Sequence, residues 1–127
     1  MAEYLKTYHF EEDLVLADVP LHKHKKHFRG FNQSEILAKV ISKYSKYQFQ
    51  NLLERKEDTI TQVGLNKEER SNNLRQAFKI KQSKIPKSVL IIDDVFTTGS
   101  TLNQCAKILK ENGALKVYGF VFAKSRE

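Results

Sequence analysis

Val89 to Thr101 reads VLIIDDVFTTGST: four aliphatic residues, two adjacent acids, an apolar pair, and a hydroxyl-rich turn around Gly99. The aliphatic run follows Pro86 without polar alternation, the pattern of a strand covered on both faces of a parallel sheet. Beyond the turn, Leu102, Cys105, Ala106, Ile108 and Leu109 recur at helical spacing between Ser100 and Asn112. Gly113 stands where a left-handed cap is favoured, and Lys116 to Ala123 (KVYGFVFA) reads as another strand. Strand, turn, helix, glycine and strand form a βαβ unit whose crossover is expected to be right-handed. The fold class is α/β, with a mainly parallel central sheet flanked by helices.

The same stretch carries chemistry. Gly99 lets the backbone bend and approach a ligand without a Cβ in the way, so successive amide N–H groups can converge on an anion. Thr97, Thr98, Ser100 and Thr101 surround it with hydroxyl donors, and a helix starting near Ser100 adds unpaired N–H groups and a positive dipole end. Those parts make a cradle for a phosphate monoester. Asp93 and Asp94 cannot favourably face the same phosphate, so they are assigned to sugar hydroxyls or to a divalent cation held partly by the ligand. The bland alternative is a solubilising acid pair followed by an ordinary hydroxyl cap. Capping requires one hydroxyl residue, whereas four cluster here. Neither a Walker loop nor a G-x-G-x-x-G fingerprint occurs in the chain. The segment instead resembles the phosphoribosyl-pyrophosphate (PRPP) signature of type I phosphoribosyltransferases. The resemblance implies that Asp93 and Asp94 bind the ribose 2′- and 3′-hydroxyls and that Thr97, Thr98, Gly99, Ser100 and Thr101 hold the 5′-phosphate.

Working outward, Asp13 to Pro20 (DLVLADVP) suits a strand that ends at its proline. Ser34 to Tyr47 places Ile36, Leu37, Val40, Ile41 and Tyr44 on one helical stripe, with Asn32 or Ser34 as its cap. Gln48 to Glu54 is a weaker strand. Arg55 to Asn73 has too little apolar content for a core element and is expected to be a mobile loop with a helical turn near Lys67 to Leu74. Between these elements Leu21 to Gln33 (LHKHKKHFRGFNQ) holds Lys23, Lys25, Lys26 and Arg29 and no acid. Following a strand of the same sheet, it is expected on the rim that carries the Asp93 to Thr101 turn. There Lys25, Lys26, Arg29 and Gly30 would suit a pyrophosphate. Three other readings compete: nucleic-acid binding with Phe28 and Phe31, a His22, His24 and His27 metal site, and a merely solvated loop. The metal reading is disfavoured, because lysines would crowd the ion and neither an acid nor a thiolate lies near.

The wider sequence is similar to the ComF family, phosphoribosyltransferase-like proteins linked to competence for DNA uptake. The similarity rests on PLHKHKKHFRGFNQSEILAK and on the spacing Leu53-x-Arg55-x3-Thr59-x2-Gln62-x2-Leu65-x4-Arg70-x2-Asn73-x4-Phe78 ahead of the PRPP signature. It implies that Arg55 to Asn73 closes over the site and that Thr59, Gln62 and Arg70 join Asp93, Asp94 and Arg29 in catalysis. The family's N-terminal zinc ribbon of four cysteines is absent, because Cys105 is the single cysteine. A helix expected before the first core strand is also missing, as in either a naturally short member of the family or one truncated at the N-terminus.

Length and composition set the outer bounds. With 127 residues and a mass of 14.8 kDa, the chain is expected to be one domain over 1–127. A lone cysteine excludes an internal disulfide framework. No apolar run is longer than that of Val89 to Ile92, which is too short to cross a bilayer, and MAEYLKTYHF has no secretory pattern, so a cytoplasmic address is expected. A net charge of +7 points to an anionic partner. Two functional readings follow. In the first, the protein binds Mg²⁺·PRPP or a ribose 5-phosphate nucleotide and transfers the phosphoribosyl group with release of pyrophosphate. His27 and Glu54 are the available, unsupported bases. In the second, it is a non-catalytic sensor of PRPP or nucleotide, or an accessory protein that binds single-stranded DNA or competence proteins. Lys79, Lys81, Lys84 and Lys87 favour that second view. The sequence leaves the acceptor and any homo-oligomer open.

Overall fold

The computed structural model describes residues 10–20, 32–55, 78–96 and 99–124. Four strands form one parallel sheet in the order β2-β1-β5-β6: β1 Val15–Asp18, β2 Gln48–Phe49, β5 Ser88–Phe96 and β6 Lys116–Lys124. The pair β3 Leu53–Arg55 and β4 Phe78–Ile80 forms a separate antiparallel ribbon. Helix α1 spans Gln33–Lys43 and helix α2 spans Ser100–Glu111.

Strand alternation divides the core into two layers. Val15, Ala17, Val89 and Ile91 pack with Cys105 and Leu109 of α2, with Leu52, and with Leu53 and Phe78 of the ribbon. Leu14, Leu16, Leu90 and Ile92 pack on the other face with Ala38 and Ile41 of α1 and with Tyr47. Both central strands are therefore covered on both sides, as their unbroken aliphatic runs require. The expected α/β class, parallel sheet and flanking helices are all present.

Several boundaries differ from the sequence reading. Gln48 to Glu54 is not one strand. Its first half pairs parallel with β1 and its second half antiparallel with β4. The chain switches sheets where Gln50 N–H donates to Leu16 O at 2.9 Å, and Leu52 and Leu53 are both buried just beyond. In α1 the expected stripe is broader than the buried face. Ser34, Ala38 and Ile41 are buried, whereas Ile36, Val40 and Tyr44 are exposed. Small residues at 34 and 38 let the helix approach the sheet closely, and one helical face cannot also bury the neighbouring ridge. β5 runs past Ile92 to Phe96, so Asp93 and Asp94 lie within the strand. The mobile-loop expectation for Arg55 to Asn73 falls on residues outside the described ones, apart from Arg55 itself.

Candidate phosphate and ribose site

The two helices begin differently, and the difference marks a candidate site. Asn32 caps α1, its side-chain Oδ1 accepting from Ser34 N–H at 3.0 Å, and Glu35 lies in the first turn against the positive dipole end. That helix start carries its own side-chain cap and its own acid. At α2 the N-cap is Gly99 in the left-handed region, φ 81° and ψ −4°, with no side-chain cap and no acid in the first turn. The hydroxyl-cap alternative is thereby corrected: a glycine, not a threonine or serine, occupies the cap. The first-turn N–H groups have no acceptor within the helix, so the geometry offers donors and a positive end to an anion. Beside Gly99 a half-open groove of about 290 Å³ lies between α2 and β6, lined by Leu102, Ala106, Val117 and Gly119 among others.

Asp93 and Asp94 stand on β5, which leads into this turn, and both are partly buried. Asp93 Oδ1 accepts from Ser34 Oγ at 3.1 Å and from Asp94 N–H at 2.9 Å. Burial, reinforced by the adjacent Asp94 carboxyl, pushes the Asp93 acid up from 3.8 to about 6, while the Ser34 hydroxyl works the other way. One rim thus sets a partly desolvated acid pair behind an open helix start. Asp18, at the end of β1, is also buried, and its Oδ2 accepts from Asn32 Nδ2 at 2.9 Å. Asn32 Nδ2 also donates to Val19 O at 3.2 Å. Because β1 aligns Asp18 with Ile92, the chain leaves β1 at the edge where Asp93 stands. That is the rim expected for the basic segment.

The other site residues divide as follows. Gly99, Ser100 and Thr101 lie together at the start of α2, and Asp93 and Asp94 lie just before that turn. Thr97 and Thr98, the segment Lys25, Lys26, Arg29 and Gly30, and Thr59, Gln62 and Arg70 lie outside the described residues, as do His22, His24 and His27. Glu54 is held at 3.3 Å by Lys79 on the ribbon's solvent side, a poor position for a base. Sequence reasoning missed Arg55 as a half-buried cation. Its guanidinium lies 4.9 Å from the Phe78 ring centroid, its Nε finds no acceptor among the described residues, and burial lowers its pKa. It also missed Ser34, whose polar type at an inward helix position was the available signal.

Among the described residues no group of three or more His, Cys, Asp or Glu could hold a metal ion. Two adjacent carboxylates suit a divalent cation that takes its remaining oxygens from a phosphate ligand and water rather than from a protein cage.

Comparisons with known proteins agree with this geometry. Competence protein F of Haemophilus influenzae is 34% identical over 124 residues, covering 93% of this chain and 54% of its own length. The DNA utilization protein YhgH of Escherichia coli K12 is 36% identical over 103 residues, covering 80% of this chain and 45% of its own. The chain spans about half the length of these curated relatives, whose names bear out the ComF resemblance. A hypoxanthine phosphoribosyltransferase from Staphylococcus aureus superposes with a TM-score of 0.59 at 16% identity, over 99% of this chain and 68% of that one, which shows the shared fold. The phosphoribosyl transferase domain profile matches residues 38–127, taking in the second half of α1, the acid pair and the open helix start. With the acid pair on β5, the glycine cap of α2 and strands β2, β5 and β6 of the parallel sheet inside the matched span, the chain belongs to the phosphoribosyl transferase domain family.

Proposed function

We propose that this chain binds PRPP or a ribose 5-phosphate nucleotide at the start of α2, with Mg²⁺, and transfers the phosphoribosyl group in the cytoplasm in a process that serves DNA uptake. The observation that carries the reading is the uncapped α2 N-terminus behind Gly99, placed directly after the Asp93–Asp94 pair. The 5′-phosphate would sit on the N–H groups of that first turn, with Thr97, Thr98, Ser100 and Thr101 adding hydroxyl donors. The carboxylates would accept from the ribose hydroxyls. In the transfer the C1–O bond to pyrophosphate breaks as the acceptor's lone pair forms the new bond to C1. Positive charge then develops on the ribose beside two acids, and negative charge on the leaving group. Lys25, Lys26, Arg29 and Gly30 are proposed to receive that group, and Thr59, Gln62 and Arg70 to complete the site. Mg²⁺, held by ligand oxygens with Asp93 or Asp94, would neutralise the leaving charge.

Calorimetry with PRPP, with and without Mg²⁺, tests the binding step. Saturable, Mg²⁺-dependent binding weakened by Asp94→Asn supports it, and no heat at millimolar ligand refutes it. Pyrophosphate release with nucleobases or amines tests transfer. The competing reading, a nucleotide sensor acting on single-stranded DNA or a competence protein, is favoured by exposed Lys81, Lys84 and Lys87 and by the DNA utilization relative. It predicts PRPP binding without turnover and a DNA affinity that falls steeply with salt.

A further inference from the structure

We infer that Ser34 is a positioning residue for the acid pair: its hydroxyl, held against β5 by the Asn32 clamp, fixes the Asp93 carboxylate that addresses the ribose. The inference rests on the ribose-phosphate reading above and adds a residue from a different element to it. Ser34 is 3% exposed, and its Oγ donates at 3.1 Å to Asp93 Oδ1 across 59 residues of sequence. The same oxygen receives Asp94 N–H at 2.9 Å, so two donors from different elements fix the carboxylate's orientation.

The position of the hydroxyl is itself fixed. Ser34 N–H is bound by Asn32 Oδ1, and Asn32 Nδ2 is anchored to Asp18 Oδ2 and Val19 O at the end of β1. One amide thus joins β1 to the start of α1, and one hydroxyl joins α1 to β5. Packing alone does not call for that hydroxyl. Ala38, one turn further along the same buried face, is fully enclosed with no polar atom, so an alanine at 34 would satisfy the helix–sheet contact. A serine in a helix's first turn commonly serves its own helix as a cap. Here Asn32 is the cap, which leaves the Ser34 hydroxyl to Asp93.

The test compares two ligands. Ribose 5-phosphate engages the acid pair and the helix start, whereas inorganic phosphate engages the helix start alone. NMR titrations of wild type and Ser34→Ala with each ligand should show ribose 5-phosphate affinity about ten-fold weaker in the variant, as expected for losing a hydrogen bond to a charged group. Inorganic phosphate affinity should be unchanged. Ser34→Cys, near-isosteric with a weak donor, should fall between the two and carries the comparison if the alanine variant fails to fold. Wild-type affinity of Ser34→Ala for both ligands would overturn the inference. Equal weakening of both ligands would also overturn it, by showing that the hydroxyl only supports the rim. If wild type binds inorganic phosphate but shows no preference for ribose 5-phosphate, the underlying ribose reading fails and the inference falls with it.

Discussion

Replacing Gly99 by alanine separates the backbone requirement of the cradle from its ligand requirement. Gly99 holds φ 81° as the N-cap of α2, and an L-residue there pays roughly 1–2 kcal/mol for the left-handed backbone. For a chain of this size about 1 kcal/mol corresponds to roughly 4 °C, so Gly99→Ala should unfold roughly 4–8 °C lower. On the cradle reading, a Cβ at position 99 would also crowd an anion on the first-turn N–H groups. Losing one charge-assisted hydrogen bond there should weaken phosphate binding at least about ten-fold. Gly99→Asn provides the control, because asparagine tolerates the left-handed region. It should recover most of the melting temperature and little of the affinity. Thermal unfolding by circular dichroism and phosphate titration by NMR read the two effects. A Gly99→Ala protein with wild-type melting and wild-type affinity would refute both the strained cap and the anion cradle.

The folded state holds the Asp93 proton more tightly, at about 6, than the ordinary value of 3.8, so folding takes up a proton between those values. Stability should therefore decline as pH rises from about 4 to about 6, and Asp93→Asn should flatten that slope in denaturant titrations. Asn32→Ala removes the α1 cap and strips the buried Asp18 carboxylate of a donor. It should cost about 2–4 kcal/mol by urea unfolding. Leu109→Ala hollows the layer beneath α2 and should cost about 2–5 kcal/mol while leaving phosphate affinity within two-fold or so, since Leu109 lies far along α2 from its open start.

The sequence was most informative where one physical demand dominates. Val89 to Ile92 could only be a doubly covered strand, and Gly99 followed by an amphipathic helix marked the turn. Gly113 reads as a helix stop and indeed takes φ 122°. Reading was weakest where tertiary context decides between equal options. The apolar and small positions from Ser34 to Tyr44 fit more than one facing, and only the sheet's demand for close approach selects Ser34, Ala38 and Ile41. Gln48 to Glu54 reads as one weak strand, and its split between two sheets depends on partners distant in sequence, Val15 and Ile80 among them. In the candidate site, Asp93 and Asp94 stand out in the sequence because paired acids before a glycine turn have few structural uses. Ser34 was not, because its partner lies on β5 and no local spacing records that contact.

A crystal structure of the protein with ribose 5-phosphate tests the central claim most directly. The account predicts phosphate oxygens within hydrogen-bonding distance of the backbone N–H groups at the start of α2, and ribose hydroxyls on Asp93 and Asp94. A ligand seated elsewhere at saturating concentration, with the α2 N-terminus left to solvent, would contradict it.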